Sequence, residues 1–358
     1  MTSERSAIGA TMLKAAILIT VISASAICVG QPEINLGQNL YAFSGEPNAR
    51  RQVDDSLLFD SDNNRIANAC INGAHRSELT RLKIPDLDSR LQKMQTGNLL
   101  SSKHGVYVLT IPVLAGKDRS KLSDQVSRAA KRMAPRVAVM LDQIRTATPG
   151  HEDMAFHLLW SRAMDRMWYR TWQREGRPGK GPPFARWIIF PPHPLTVGTV
   201  SYDGVIGGGS NAKSWSHPSI CGSFHTSEFQ LEILRGAWGQ RVPVANIKPL
   251  QSVGVFDEAG TFTGFAYHRG DALDLLLDRL TDEYATVVTN AYDYARLSKA
   301  YRIPVEELWL AIQHETAYAI LAELVRSGKL AIPEPLEGKG DTRLCRSVIS
   351  IRLVNPPK

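Results

Sequence analysis

The chain is poor in several things at once. It has four cysteines in 358 residues, so it can form at most two disulfides and is no cysteine-stapled scaffold. It has no internal repeat and no low-complexity tract, which excludes a repeat solenoid and a compositionally disordered chain. Its longest greasy stretch, residues 15–29 (AAILITVISASAICV), falls short of the roughly 20 apolar residues that cross a bilayer comfortably. Two nucleotide and metal signatures are also missing. The run GVIGGGS at 204–210 lacks the lysine and spacing of a phosphate-binding loop, and His314-Glu315 is followed by Tyr318 where a zinc protease requires a second histidine one turn on.

What is present begins at the amino end. Arg5 and Lys14 precede the greasy stretch, and Ala24 and Ala26 stand near its exit. A positive leader, a short apolar core and small residues at the exit have the form of a secretory signal peptide. Met12 would serve as an alternative start with the same form. Retention of residues 15–29 as a short anchor is the other reading, and the positive-inside bias then still leaves the body outside. A lipid anchor at Cys28 fits less well, because Ile27 stands where a small residue is required. The expected address is periplasmic or cell-envelope.

A hydrophobic content of 43% and a charged content of 22% describe an ordinary folded protein, and the length allows a large core. The net charge of +7 loses one unit when Glu4, Arg5 and Lys14 leave with the leader. That modest excess fits an anionic partner such as lipid headgroups, cell-wall polymer or nucleic acid without choosing among them. Cleavage after Ala26 keeps Cys28, Cys70, Cys221 and Cys345, and an oxidising compartment favours a bridge between two of the last three.

The expected organisation is a signal peptide at 1–26, a polar extended arm at 27–62, a mainly helical domain at 63–180 and an α+β domain at 181–358. Residues 106–113 (VYVLTIPV) read as a strand that Pro112 confines to an edge or an end. Leu122, Val126, Ala130, Met133, Val137, Leu141 and Ile144 recur at helical spacing around Pro135, giving one kinked helix or two short ones. Residues 185–268 read as antiparallel strands between Gly and Pro, with a hairpin turning at Asp257-Glu258-Ala259-Gly260. Leu273, Leu276, Leu277, Leu280, Tyr284 and Val287 or Val288 mark a helix over 271–302, and Pro304 opens another that stops at Gly328. A strand at 347–354 closes an α+β fold.

Two patterns carry candidate function. Along residues 152–175, Phe156, Trp160, Met164, Trp168 and Trp172 recur every fourth residue, as do Arg162, Arg166, Arg170 and Arg174 two positions on. On an α-helix these stripes lie on opposite faces. The plain reading packs the aromatic stripe in the core and leaves the arginines in solvent. The functional one sets Trp160, Arg162, Arg166, Trp168, Arg170 and Trp172 against an anionic membrane surface or a partner protein's groove. The second pattern is HPSICGSFH, in which His217, Cys221 and His225 are zinc ligands by type. Alternatively, Cys221 is a nucleophile with His225 or His217 as its base. Pro218 and Gly222 argue against the helix that would align them, so the bland reading is an ordered loop.

Asp271, Asp274 and Asp278, near His268, read first as acids favoured at a helix N-terminus. A winged-helix reading of residues 303–354 fails on the lack of base-reading side chains in 317–324, so no nucleic-acid partner is expected. The sequence thus predicts an exported, non-catalytic envelope component for transport, secretion or surface assembly, needing no cofactor and contacting envelope proteins or an anionic membrane. The alternative is an exported hydrolase built on Cys221 with His217 or His225, with zinc as the metal those ligands would take.

Overall fold

Helices form where apolar residues recur at helical spacing, and a computed structural model of the chain describes residues 34–37, 40–43, 53–165, 185–191, 193, 202–206, 211–215, 229–333 and 349–354. Residues 34–358 form one compact unit, of α+β class. Its elements begin with β1 (Leu40–Phe43), α1 (Ser61–Ala69), β2 (Ala74–His75), α2 (Arg76–Thr80) and α3 (Leu87–Thr96). The strands β3 (Leu100–Lys103), β4 (Val106–Leu109) and β5 (Val113–Ala115) follow. The sheet β2-β4-β3 puts β4 at its centre. The chain leaves β4 before Pro112, which has no N–H to give a ladder.

An N-terminal apolar cluster gathers Leu58, Ile66, Leu79, Leu91, Met94, Leu99 and Ile111 with Ile34, Leu36 and Ile188. Residues 34–43, expected as part of a polar arm, are held rather than free. Ile34 and Leu36 are buried. Asn64 donates to the Ile34 carbonyl at 3.0 Å and accepts from the Leu36 amide at 2.8 Å, so α1 side chains take over the hydrogen bonds an extended segment would otherwise give to water. β1 then pairs antiparallel with β6 (Ala185–Phe190), which pairs parallel with β5. Cys70 lies in this cluster as a free, buried thiol. The expected bridge therefore does not use it, and Cys28, Cys221 and Cys345 lie outside the described residues.

Next comes α4 (Gly116–Ala147), one continuous helix through Pro135. All seven apolar positions expected to face inward are buried. Residues 155–157 form a short helical turn, α5, which widens into a π-helix over Leu158–Met164. β7 (Tyr202–Ile206) and β8 (Asn211–Trp215) form an antiparallel pair on either side of the glycine run.

The region after β8 departs from the expected run of strands. It contains α6 (Gln230–Ala237) and α7 (Lys248–Ser252). The turn at 257–260 forms, with Gly260 at φ +80° and its Cα so close to the Val242 carbonyl that a Cβ would sit 2.2 Å from the oxygen. Only the Phe256–Phe262 bridge joins its arms. β9 (Phe265–His268) instead pairs parallel with β10 (Ile349–Leu353), which pairs antiparallel with β8 on its other edge. Long-range pairing with the carboxyl end has displaced the local hairpin.

α8 (Ala272–Ala291), α9 (Tyr294–Tyr301) and α10 (Val305–Arg326) complete the fold. Asp271 and Asp293 cap α8 and α9 by accepting from amides three residues on, at 2.7 and 3.0 Å. The helical tracts of the winged-helix reading are a single helix, α10. The larger core runs from Leu114 to Leu353 and joins α4, α5, α8 and α10 to the sheet β7-β8-β10-β9, so residues on both sides of position 180 share it. Among the described residues, no helix is long and apolar enough to cross a membrane.

Candidate functional site

α10 is buried on all sides between Leu310 and Leu321, the pattern of a helix threaded through a core rather than laid on one. Its sequence LAIQHETAYAIL therefore carries four polar residues into the interior, and each must find a partner there. Gln313 donates its side-chain amide to the Met164 carbonyl at 2.8 Å, and its backbone carbonyl accepts from the Tyr284 hydroxyl at 2.8 Å. Thr316 donates to the Ile312 carbonyl at 2.7 Å and lies 2.8 Å from the Tyr292 hydroxyl.

His314 and Glu315 make two ionic pairs side by side. The Nδ1 of His314 lies 2.8 Å from the Leu310 carbonyl, an acceptor only, so that nitrogen carries a proton. Its Nε2 lies 3.0 Å from Asp165 Oδ1. Burial opposes charge on the ring, but the Asp165 hydrogen bond and charge outweigh it and hold the His314 pKa above its ordinary value. Asp165 is brought there by the π-helix, whose last turn closes through the Asp165 amide and the Trp160 carbonyl at 2.8 Å.

Glu315 pairs with Arg119 of α4 at 2.8 Å, with side-chain exposures of 1% and 8%. Arg119 also donates from Nε to the Pro191 carbonyl at 2.9 Å. Burial pushes the Glu315 carboxyl up, and Arg119 restrains that rise without cancelling it. Rings pack around His314 and Tyr318. Trp160 stacks on Tyr318 at 4.6 Å between centroids, His193 stacks on the same tyrosine at 5.9 Å, and Trp187 tilts toward His314 at 5.7 Å. Burial and the nearby Arg119 charge bring His193 down to about 4. The cluster is a buried acid–base network that ties α4 and the end of the π-helix to α10.

A second interior set lies toward the β10 sheet. Arg162 donates from Nε to the Tyr267 hydroxyl at 2.6 Å, with its guanidinium 5.6 Å from that ring's centroid. Asp274 takes two bonds from Arg352, at 2.6 and 2.7 Å, and one from the Gly270 amide at 2.9 Å. Burial alone would raise the Asp274 carboxyl, yet these donors hold it below its ordinary value. Asp271 and Asp274 are thus committed to capping and to an ion pair.

Of the residues singled out from sequence, Trp160 and Arg162 are described, and both are interior, with exposures of 1% and 2%. The expectation that Arg162 faces solvent is corrected. The π-helix bonds i to i+5 rather than i to i+4, so α-helical spacing does not assign faces there, and Tyr267 supplies the guanidinium with a partner. Arg166, Trp168, Arg170 and Trp172 lie outside the described residues, as do His217, Cys221 and His225. Among the described residues, no group of three or more His, Cys, Asp or Glu is placed to hold a metal.

The open surface has a different character. A cleft of about 920 Å³ runs between the N-terminal cluster and the ends of α4, α9 and α10. Asn72, Asn98, Ser101 and the stretch Val108–Val113 line one side, and Asp118, Tyr301, Arg302 and Glu307 line the other. Burial and the Asp118 charge both raise the Tyr301 phenol. A smaller cleft of about 210 Å³ lies between α4 and the start of α9. Sequence reasoning missed Arg119 and Asp165 entirely. The usable signal was a block of four polar residues inside an otherwise apolar helix, which demands buried partners. Comparison with family models, characterised proteins and solved structures finds no match to this chain.

Proposed function

We propose that this chain is an exported cell-envelope component that works by contact, holding a partner protein or an anionic membrane surface as part of a transport, secretion or surface assembly. The observation that carries this reading is the contrast, among the described residues, between a buried ionic network and an open cleft of mixed lining. The paired His314, Asp165, Glu315 and Arg119 are all buried. The 920 Å³ cleft is lined by amides, hydroxyls, aliphatic and charged side chains, the mixed lining of a recognition surface. The leader at 1–26 supports the address, and the Trp/Arg pattern through Arg166, Trp168, Arg170 and Trp172 supports a further contact with anionic lipid.

The test is envelope fractionation of the full chain carrying a reporter enzyme at its carboxyl end. The reading expects the reporter to be active outside the cytoplasm and the protein to pellet with envelope membranes. Introducing Ser101→Arg into the cleft, or reversing Arg166 and Arg170 to Glu, weakens that association at least threefold while the circular dichroism spectrum is unchanged. A reporter active only in the cytosol, or association indifferent to all of these changes, would overturn it.

The hydrolase alternative rests on the sequence pattern of His217, Cys221 and His225. It expects stoichiometric zinc, or a reactive thiol lost in Cys221→Ser, in the purified protein.

A further inference from the structure

The smaller cleft has an excess of positive charge. Gln125, Arg128 and Arg132 follow one another at i, i+3 and i+7 along α4 and so form one stripe. Arg296 faces them from α9, with Tyr292 and Asp293 completing the lining. Among the described residues Arg128 and Arg132 make no ion pair, and Arg296 reaches only Asp293, at 3.9 Å. Asp293 is already engaged in capping α9. Like charges four residues apart on a helix repel one another. Here that repulsion is left uncompensated. The amino end of α9 adds the positive end of its dipole to the same place.

We propose that this cleft is a binding site for a phosphate group, either free phosphate or the phosphate of an anionic lipid headgroup. Guanidinium forks match the paired oxygens of a tetrahedral oxyanion. A cleft of 210 Å³ is below the roughly 300–1,000 Å³ of sites for drug-sized ligands, and it suits one such group. The site does not depend on the chain being exported. It also lies near the interior network, because Tyr292 at its edge bonds Thr316 beside Glu315.

The test titrates the full chain with inorganic phosphate at low ionic strength and floats it with vesicles of phosphatidylglycerol or of phosphatidylcholine. The site predicts phosphate binding that is reduced at least tenfold in Arg132→Gln/Arg296→Gln, or flotation with phosphatidylglycerol alone that the same variant abolishes. The first result assigns free phosphate and the second a lipid headgroup. These arginines are exposed, and an unchanged melting curve without ligand checks that the variant folds. Binding that survives the double substitution, or binding of neither phosphate nor phosphatidylglycerol vesicles, would overturn the proposal.

Discussion

The two apolar clusters handle charge in opposite ways. Around the N-terminal cluster, ion pairs stay on the rim: Arg90 meets Asp60 at 2.7 Å and Arg76 meets Asp88 at 2.6 Å, with every partner at least a quarter exposed. Its buried polar side chains are neutral amides, Asn63 and Asn64. The larger core instead encloses Arg119–Glu315, His314–Asp165 and Arg352–Asp274. The difference follows from how each is built. Short helices around a small sheet can bury one apolar face and leave their charges outside. A helix such as α10, threaded through the middle, has no outside between Leu310 and Leu321, so the ionisable residues His314 and Glu315 meet their counter-charges in the interior.

That contrast can be attacked in several ways. The largest effect is expected for Glu315→Ala, which strands the Arg119 guanidinium and costs about 3–5 kcal/mol in urea unfolding. Arg119→Met/Glu315→Leu, which removes both charges, is expected to lie within about 1 kcal/mol of the parent or above it. Equal losses in the single and double variants would erase the distinction between paired and stranded charge. In the N-terminal cluster the sensitive change is apolar: Leu91→Ala costs about 3 kcal/mol by opening a cavity.

The dependence on pH sharpens the comparison next, because the buried histidines belong to the larger core. Burial, helped by the Arg162 charge, brings His157 down to about 3, and His193 stands at about 4. Both rings stay neutral in the fold, while the unfolded chain takes up protons below about pH 6.5. Their contribution is present above pH 6.5 and lost as the pH falls from there toward 4, a loss of about 2 kcal/mol or more. His314, whose pKa is raised, acts in the other direction: its contribution is present below pH 6.5 and lost as the pH rises through its folded value. Urea midpoints measured against pH are expected to lose about half of the acid-side slope due to these two histidines in His157→Gln, and the alkaline-side slope in Asp165→Asn. The smallest effect is expected at the rim, where Arg76→Ala changes stability by no more than about 0.5 kcal/mol.

Legibility in the sequence followed how local each determinant is. Period and caps placed α4, α8 and α10, and Gly328 stands after α10 with φ +67° as a left-handed stop. The parallel partnership of β9 with β10 was hidden, because it joins residues more than eighty positions apart and leaves no local trace. The burial of Arg162 was hidden too, since a π-helix breaks the spacing from which its face was read. Of the interior network, His314-Glu315 was visible as a dipeptide. Its partners Asp165 and Arg119 lie 149 and 196 positions away and only the fold brings them in.

The central claim is that the sealed ionic pairs hold shape while the open surface makes contact. It is tested most directly by envelope association of the folded Arg119→Met/Glu315→Leu variant. The account predicts association equal to that of the parent. Loss of association in a variant that keeps its fold and stability would place the buried pair in the working site and contradict it.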